Sequence, residues 1–260
     1  MKDQPLDKKK AIFLAAVCGQ TYTQYGNTAG TFVVPKGYKL VAPFKAVSFG
    51  GQLEWFGFVL ESASEIIVAF RGTSSQSDWM SNAMARQVKY KYAKDAGWTH
   101  HGFTEIYSSA RKNVLAALAK LSDSKRLFIT GHSLGGALAT LCALDVASNT
   151  KFRTPVVYTY GSPRVGNQTF ADAFNKRVSV GHRIANQYDV VPHLPPVVYP
   201  LPLDGTIYYY MHVRELSQLT FQDGSMAANH IIADYFNDLS KLDPTYAKQM
   251  CKANAGFCPG

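Results

Sequence analysis

The chain has 260 residues, 47% hydrophobic and 17% charged, which is ample for one large α/β domain with a single core. No apolar run approaches the about 18 residues of a membrane span, which excludes a spanning helix within these residues. The formal charge of +9 suggests attraction to anionic surfaces. The basic residues are spread out, however, apart from Lys8, Lys9 and Lys10 and the group Lys89, Lys91 and Lys94, and no nucleic-acid motif accompanies them. A solvated basic surface is therefore the first reading, an anionic lipid or fatty-acid interface the second, and nucleic acid is not expected as a partner.

In chain order, the first expected element is a helix over about 8–25. The three lysines followed by Ala11-Ile-Phe-Leu-Ala-Ala-Val17 imitate the charged and apolar regions of a signal peptide, but the run is short and no Ala-x-Ala site follows. Ala11, Leu14, Ala15, Cys18 and Tyr22 instead fall on one helical face. The helix is preferred; secretion is still the expected location, without a clear signal peptide in this chain. Strands are expected near 44–49, 54–60 and 65–70, a variable segment at 73–98, and a helix at 104–121. A strand at 126–130, a helix at 134–148, a strand at 155–160 and a helix near 167–176 follow. The remainder reads as a strand at 180–188, a Pro-rich loop at 189–204, β-runs at 206–213 and a last helix at about 227–240. This alternation predicts an α/β fold with a largely parallel central sheet, flanking helices, and antiparallel strands on the N-terminal side. Ile66-Ile-Val-Ala-Phe70 and Pro155-Val-Val-Tyr-Thr-Tyr160 are continuous apolar runs, as expected of strands covered on both faces.

Gly131-His-Ser-Leu-Gly-Gly136 joins the strand at 126–130 to the following helix. Strand, Gly-x-Ser-x-Gly, helix is the context of a nucleophile elbow, in which a strained turn exposes Ser133 at the helix N-terminus. A phosphate cradle is the competing reading, but the chain has neither a P-loop lysine nor Gly-x-Gly-x-x-Gly here. A serine hydroxyl needs a histidine to take its proton, and the histidine a carboxylate to hold its tautomer. In the order Ser, Asp, His, the best acid is Asp189, at the end of the strand at 180–188, where functional groups of open α/β sheets collect. Asp145, Asp172 and Asp234 fall on expected helices, where solvation explains them, and Asp204 and Asp223 lie in turns. Among the later histidines, His230 at a loop-to-helix junction is preferred over His193, four residues from Asp189, and over His212, which reads as structural. The backbone N–H of Leu134 supplies one oxyanion donor, and Thr73, after Phe70-Arg-Gly, a second; Thr73 also suits a helix cap, and one threonine can do both.

Phe70-Arg-Gly-Thr73, Asp78-Trp79, His101-Gly-Phe103, the Gly131–Gly136 hexapeptide, Tyr160-Gly-Ser-Pro-Arg-Val-Gly166, Asp189-Val-Val-Pro192 and His230 occur in the order found in the class 3 lipase family, which the chain resembles over roughly 10–240. The resemblance implies an α/β-hydrolase fold, a Ser133–Asp189–His230 triad and an oxyanion hole at Thr73 and Leu134. It also implies a lid, here about 76–92, and supports the early helix. If 77–88 is helical, Trp79, Met80, Ala83, Met84 and Val88 share one side; the alternative is a surface helix with that side permanently on the core. Val197, Val198, Tyr199, Leu201 and Leu203 offer further apolar surface for an acyl chain, or rigid packing. The expected activity is that of a serine carboxylester hydrolase, a triacylglycerol lipase first, with a short-chain or feruloyl esterase or a phospholipase A1 as alternatives. A non-catalytic binding module would not need all four parts of the site. No metal or organic cofactor is expected, and the protein is expected to be a monomer working on esters at a lipid–water interface. Cys18, Cys142, Cys251 and Cys258 allow three pairings, with a small tail loop between Cys251 and Cys258 and a buried Cys142 among the options. They do not reproduce the several disulfides of secreted fungal relatives.

Overall fold

The computed structural model describes residues 5–73, 85–201, 205–214 and 216–260. Helix α1 (Lys8–Gly26) comes first, followed by β1 (Lys39–Val47), β2 (Leu53–Glu61) and β3 (Glu65–Phe70). Short β4 (Gln87–Lys89) and β5 (Trp98–His100) precede α2 (His101–Ala119), β6 (Arg126–His132), α3 (Leu134–Asn149), β7 (Val156–Tyr160), α4 (Gln168–Arg177) and β8 (Val180–Asn186). Then come β9 (Val198–Pro200), β10 (Ile207–Tyr209), β11 (Leu216–Leu219), α5 (Ile232–Ser240) and α6 (Pro244–Ala253).

Seven strands form the central sheet in the order β1-β2-β3-β6-β7-β8-β11. The β1–β2 and β2–β3 pairs are antiparallel, and every pair from β3 onward is parallel, matching the expected arrangement. Two-residue alternation explains the continuous apolar strands. On β3, Ile66, Val68 and Phe70 face the core shared with α2, α3 and α4, while Ile67 and Ala69 face the core built by α1, α5 and α6. α3 is buried along nearly its whole length, because the sheet lies under it and α2 and α4 lie beside it.

Residues 11–18 of α1 are all buried against the sheet, so the signal-like run is a core helix. Its start is capped by the Asp7 carboxylate, which accepts from Lys10 N–H at 3.0 Å. Asp145 corrects the sequence reading: it is fully buried in α3, accepting from the Tyr107 hydroxyl, from Arg111 through Nε and Nη2, and from Asn149. Four features escaped the sequence reading: the β4–β5 ribbon, strand β9 with its pairing to β10, edge strand β11, and α6. Of the runs expected at 206–213, only Ile207–Tyr209 forms a strand, with an isolated bridge at Met211. Cys251 and Cys258 are joined by a disulfide, and Cys18 and Cys142 are buried thiols.

Candidate active site

Strand β6 runs into α3 through Ser133, whose backbone stands at φ +57°, ψ −129°. A non-glycine residue holds such a conformation only where its surroundings impose it. The imposition comes from close packing of strand and helix. A Cβ on Gly131 would lie 2.1 Å from Gly135 O, and one on Gly135 would lie 2.2 Å from Phe70 O. The two glycines therefore let α3 start directly against the end of β3, which brings the Arg71-Gly72-Thr73 turn beside Ser133. Leu134 is the first residue of α3, so its N–H belongs to the helical turn that has no intrahelical acceptor.

Beyond the end of β8, Asp189 is buried, and its Oδ1 accepts from Val191 N–H at 2.9 Å. His230 closes a short 3-10 turn over residues 228–230, just ahead of α5. Its Nδ1 lies 2.6 Å from Asp189 Oδ2 and its Nε2 2.8 Å from Ser133 Oγ. A carboxylate oxygen can only accept, so Nδ1 carries the ring proton, and the Nε2 lone pair faces the serine hydroxyl. The three residues read from the sequence as nucleophile, acid and base thus stand in one hydrogen-bonded line. They lie at the carboxyl ends of the parallel strands.

Sequence reasoning missed the groups that hold this line in place. The Tyr235 hydroxyl donates to Asp189 Oδ2 at 2.7 Å and accepts from Asn186 N–H at 2.9 Å. Burial and the adjacent Asp189 charge hold its phenol well above the usual range, so it remains a donor. His132, next to the serine, is buried, and its Nε2 lies 2.7 Å from the His230 carbonyl oxygen. That nitrogen must donate, which leaves Nδ1 to accept from the Tyr22 hydroxyl at 2.7 Å. Burial, and then neighbouring His230, hold His132 well below the ordinary histidine range and therefore neutral. Gly161, at φ +54°, passes under the pair: a Cβ there would stand 2.8 Å from Asp189 Oδ2 and 3.1 Å from His230 Nδ1. Tyr22 and Tyr235 were legible only as apolar-face residues of amphipathic helices, since their hydroxyl partners are remote in sequence.

His212 is structural as expected, with Nε2 donating to Pro192 O at 2.7 Å, and His193 is exposed. Thr73 is half-buried and lines a cavity of about 520 Å3 together with Tyr22, His132 and His230. Val197 and Val198 are exposed and Leu201 half-buried; none of the three lines that cavity. Trp79, Met80 and Met84 of the expected lid lie outside the described residues, but the expected helix cannot reach Val88. Gln87–Lys89 is a strand, paired antiparallel with Trp98–His100, because the chain must turn back there to enter α2.

The family model for class 3 lipases matches residues 67–199, which include Thr73, Ser133, Leu134 and Asp189. A lipase of Rhizomucor miehei is 35% identical over 158 residues, covering 57% of this chain and 42% of that protein. Phospholipase A1-II 1 of Oryza sativa subsp. indica is 32% identical over 193 residues, covering 62% of this chain and 49% of the relative. The chain thus spans less than half the length of either curated relative. The solved structure of the Rhizomucor miehei lipase propeptide complex superposes with a TM-score of 0.69 at 24% identity, over 84% of this chain and 70% of that one, which shows the α/β-hydrolase fold. With over half of its residues matched by the family model, the chain belongs to the class 3 lipase family.

Proposed function

We propose that the protein is a serine carboxylester hydrolase whose substrates are acylglycerols. The reading is carried by the unbroken line from Ser133 Oγ through the His230 ring to Asp189, built on a strained elbow. His230 Nε2 takes the Ser133 proton as Oγ bonds to the ester carbonyl carbon. The carbonyl oxygen becomes an oxyanion held by the N–H groups of Leu134 and Thr73. The tetrahedral intermediate collapses by breaking the carbon–alkoxy bond, and His230 returns the proton to the departing alcohol. Water then attacks the acyl-enzyme, giving its proton to the same nitrogen, and the acid leaves as Ser133 is regenerated. Asp189, accepting from Nδ1, holds the ring tautomer and stabilises the imidazolium.

A lipid interface as the place of work is supported by exposed apolar residues on the loops beyond the strand ends. Tyr188 adjoins Asp189 and Ile231 adjoins His230, with Val197, Val198, Ile207 and Tyr209 on or beside the β9–β10 ribbon. Val197 and Val198 among them offer apolar surface for an acyl chain. A phospholipase A1 activity is the second reading, supported by the rice relatives of that name and by the charge of +9, which favours anionic lipid. The test is the hydrolysis rate of tributyrin measured through its solubility limit, beside phosphatidylglycerol vesicles. Ser133→Ala is expected to lower either rate by roughly 10^3-fold or more. Undiminished hydrolysis by that variant would end the reading.

A further inference from the structure

The cavity lined by His230 is also lined by Gly256, Cys258 and Pro259, together with Gly19, Gln20 and Thr23 of α1. Several contacts hold the segment 256–259. The Cys251–Cys258 disulfide ties it back to α6. Gln20, buried in α1, donates from Nε2 to the carbonyls of Gly256 at 2.9 Å and Phe257 at 2.8 Å, while its Oε1 accepts from Val33 N–H. Phe257 is buried against Phe13, with ring centroids 5.6 Å apart. Pro259 stands so close to α1 that a Cβ on Gly19 would lie 3.1 Å from its own Cβ. These contacts tie the wall to both α1 and α6.

Which part of an ester enters follows from the proton path. His230 Nε2 must reach the leaving oxygen, so that oxygen and whatever it carries lie on the His230 side of Ser133. His230 itself lines the cavity, with Ile231 and Pro259 adding apolar surface and Thr23 and Thr73 bringing hydroxyl groups. At about 520 Å3 it is of ordinary small-molecule size, larger than a methyl or ethyl group needs.

We propose that this cavity receives the alcohol portion of the ester, of a polyol class such as glycerol, and that the disulfide-held segment 256–259 sets the largest alcohol accepted. The inference rests on the ester-hydrolase reading above.

The test uses two series of soluble esters on the intact chain. One keeps butyrate and enlarges the alcohol from methyl through glyceryl to benzyl; the other keeps methyl and lengthens the acid from butyrate to octanoate. Thr23→Trp introduces an indole from an exposed position of α1. It is expected to lower the benzyl-to-methyl ratio of kcat/KM about tenfold or more, with the octanoate-to-butyrate ratio held within about twofold. Cys251→Ser with Cys258→Ser, checked for folding by circular dichroism, is expected to raise the benzyl-to-methyl ratio about threefold or more. If the double variant does not fold, Thr23→Trp decides alone. An alcohol ratio that does not move in Thr23→Trp, or an acid ratio that moves in its place, overturns the proposal. A benzyl-to-methyl ratio unchanged in a folded cysteine double variant removes segment 256–259 as the limit. Ser133→Ala is assayed in parallel on methyl butyrate: if it is as active as the parent chain, the serine mechanism itself has failed, and the proposal with it.

Discussion

Lowering the pH from 7.5 to 5.5 should destabilise this fold, chiefly through the three most buried of its histidines with lowered pKa. His100 is fully buried, its ring stacked on Phe103 at 3.8 Å, its Nδ1 accepting from Phe103 N–H at 3.3 Å, and its Nε2 without a partner among the described residues. Burial, and then the neighbouring His101, push its pKa down to about 3. His212 is also lowered to about 3, first by burial and then by Arg183, and His132 is held well below the ordinary range. In each case the folded pKa lies below the unfolded value of about 6.5, so the unfolded chain binds the proton first. Their neutral burial is compatible with the fold above pH about 6.5, and stability is lost as pH falls from there toward the folded values. At pH 5.5 a group ten times more protonated than not in the unfolded state costs about 1.4 kcal/mol, so the three together cost about 4 kcal/mol, a large part of an ordinary 5–15 kcal/mol.

Urea unfolding followed by tryptophan fluorescence at the two pH values measures this directly, apart from any effect of pH on the catalytic cycle. His100→Asn removes one titrating group while offering another N-cap acceptor to α2, and should shrink the pH-dependent loss by about 1.4 kcal/mol whatever it does to stability at pH 7.5. A loss below about 1 kcal/mol in the parent chain, or the same loss in His100→Asn, would refute the reasoning.

Asp189→Asn should keep the fold and lower kcat by about 10^4-fold, since an amide opposite Nδ1 no longer holds the ring tautomer; initial rates and circular dichroism on one preparation check both halves. Gly161→Ala should cost about 1–3 kcal/mol in urea and lower kcat with little change in KM, because a Cβ at φ +54° displaces the Asp189–His230 pair. Tyr22→Phe should lower kcat about tenfold, an effect absent if the hydroxyl merely fills space.

The parts of this molecule legible in its sequence are those in which one short segment carries the whole physical cause. The elbow is such a case: two glycines and a serine between an apolar strand and an apolar helix suffice to locate it. Asp189 and His230 required chain order and position at strand or helix ends, which narrowed the choice without showing that the side chains meet. Contacts that depend on distant segments stayed hidden. Nothing near Tyr22 or Tyr235 signals that a hydroxyl, rather than a ring face, matters there. Asp145 looked like a solvated helix residue because its partners Tyr107 and Arg111 lie one helix earlier, on α2. Strand β11 was missed because Leu216-Ser-Gln-Leu219 is short and half exposed at the sheet edge. α6 had legible signals, Asp243 as N-cap accepting from Tyr246 N–H and Pro244 as the first helical residue.

Acid sensitivity and the proposed catalysis meet at His132. Its ring centroid lies 4.7 Å from that of His230, the group that becomes an imidazolium in each half of the reaction. Two adjacent imidazolium ions in a buried site would repel strongly, so His230 can be charged only if His132 stays neutral. The structure secures this twice: burial disfavours the charge, and the Tyr22 hydroxyl occupies the Nδ1 lone pair that a proton would need. The other nitrogen is engaged by the backbone of His230 itself, so the same neutral ring fixes the position of the base without competing with it for charge. A histidine chosen only for packing there could be replaced by any residue of similar shape. One chosen for this arrangement needs an acceptor facing α1 and a donor facing the His230 carbonyl. A glutamine could present both by amide geometry, and an asparagine is too short to span them.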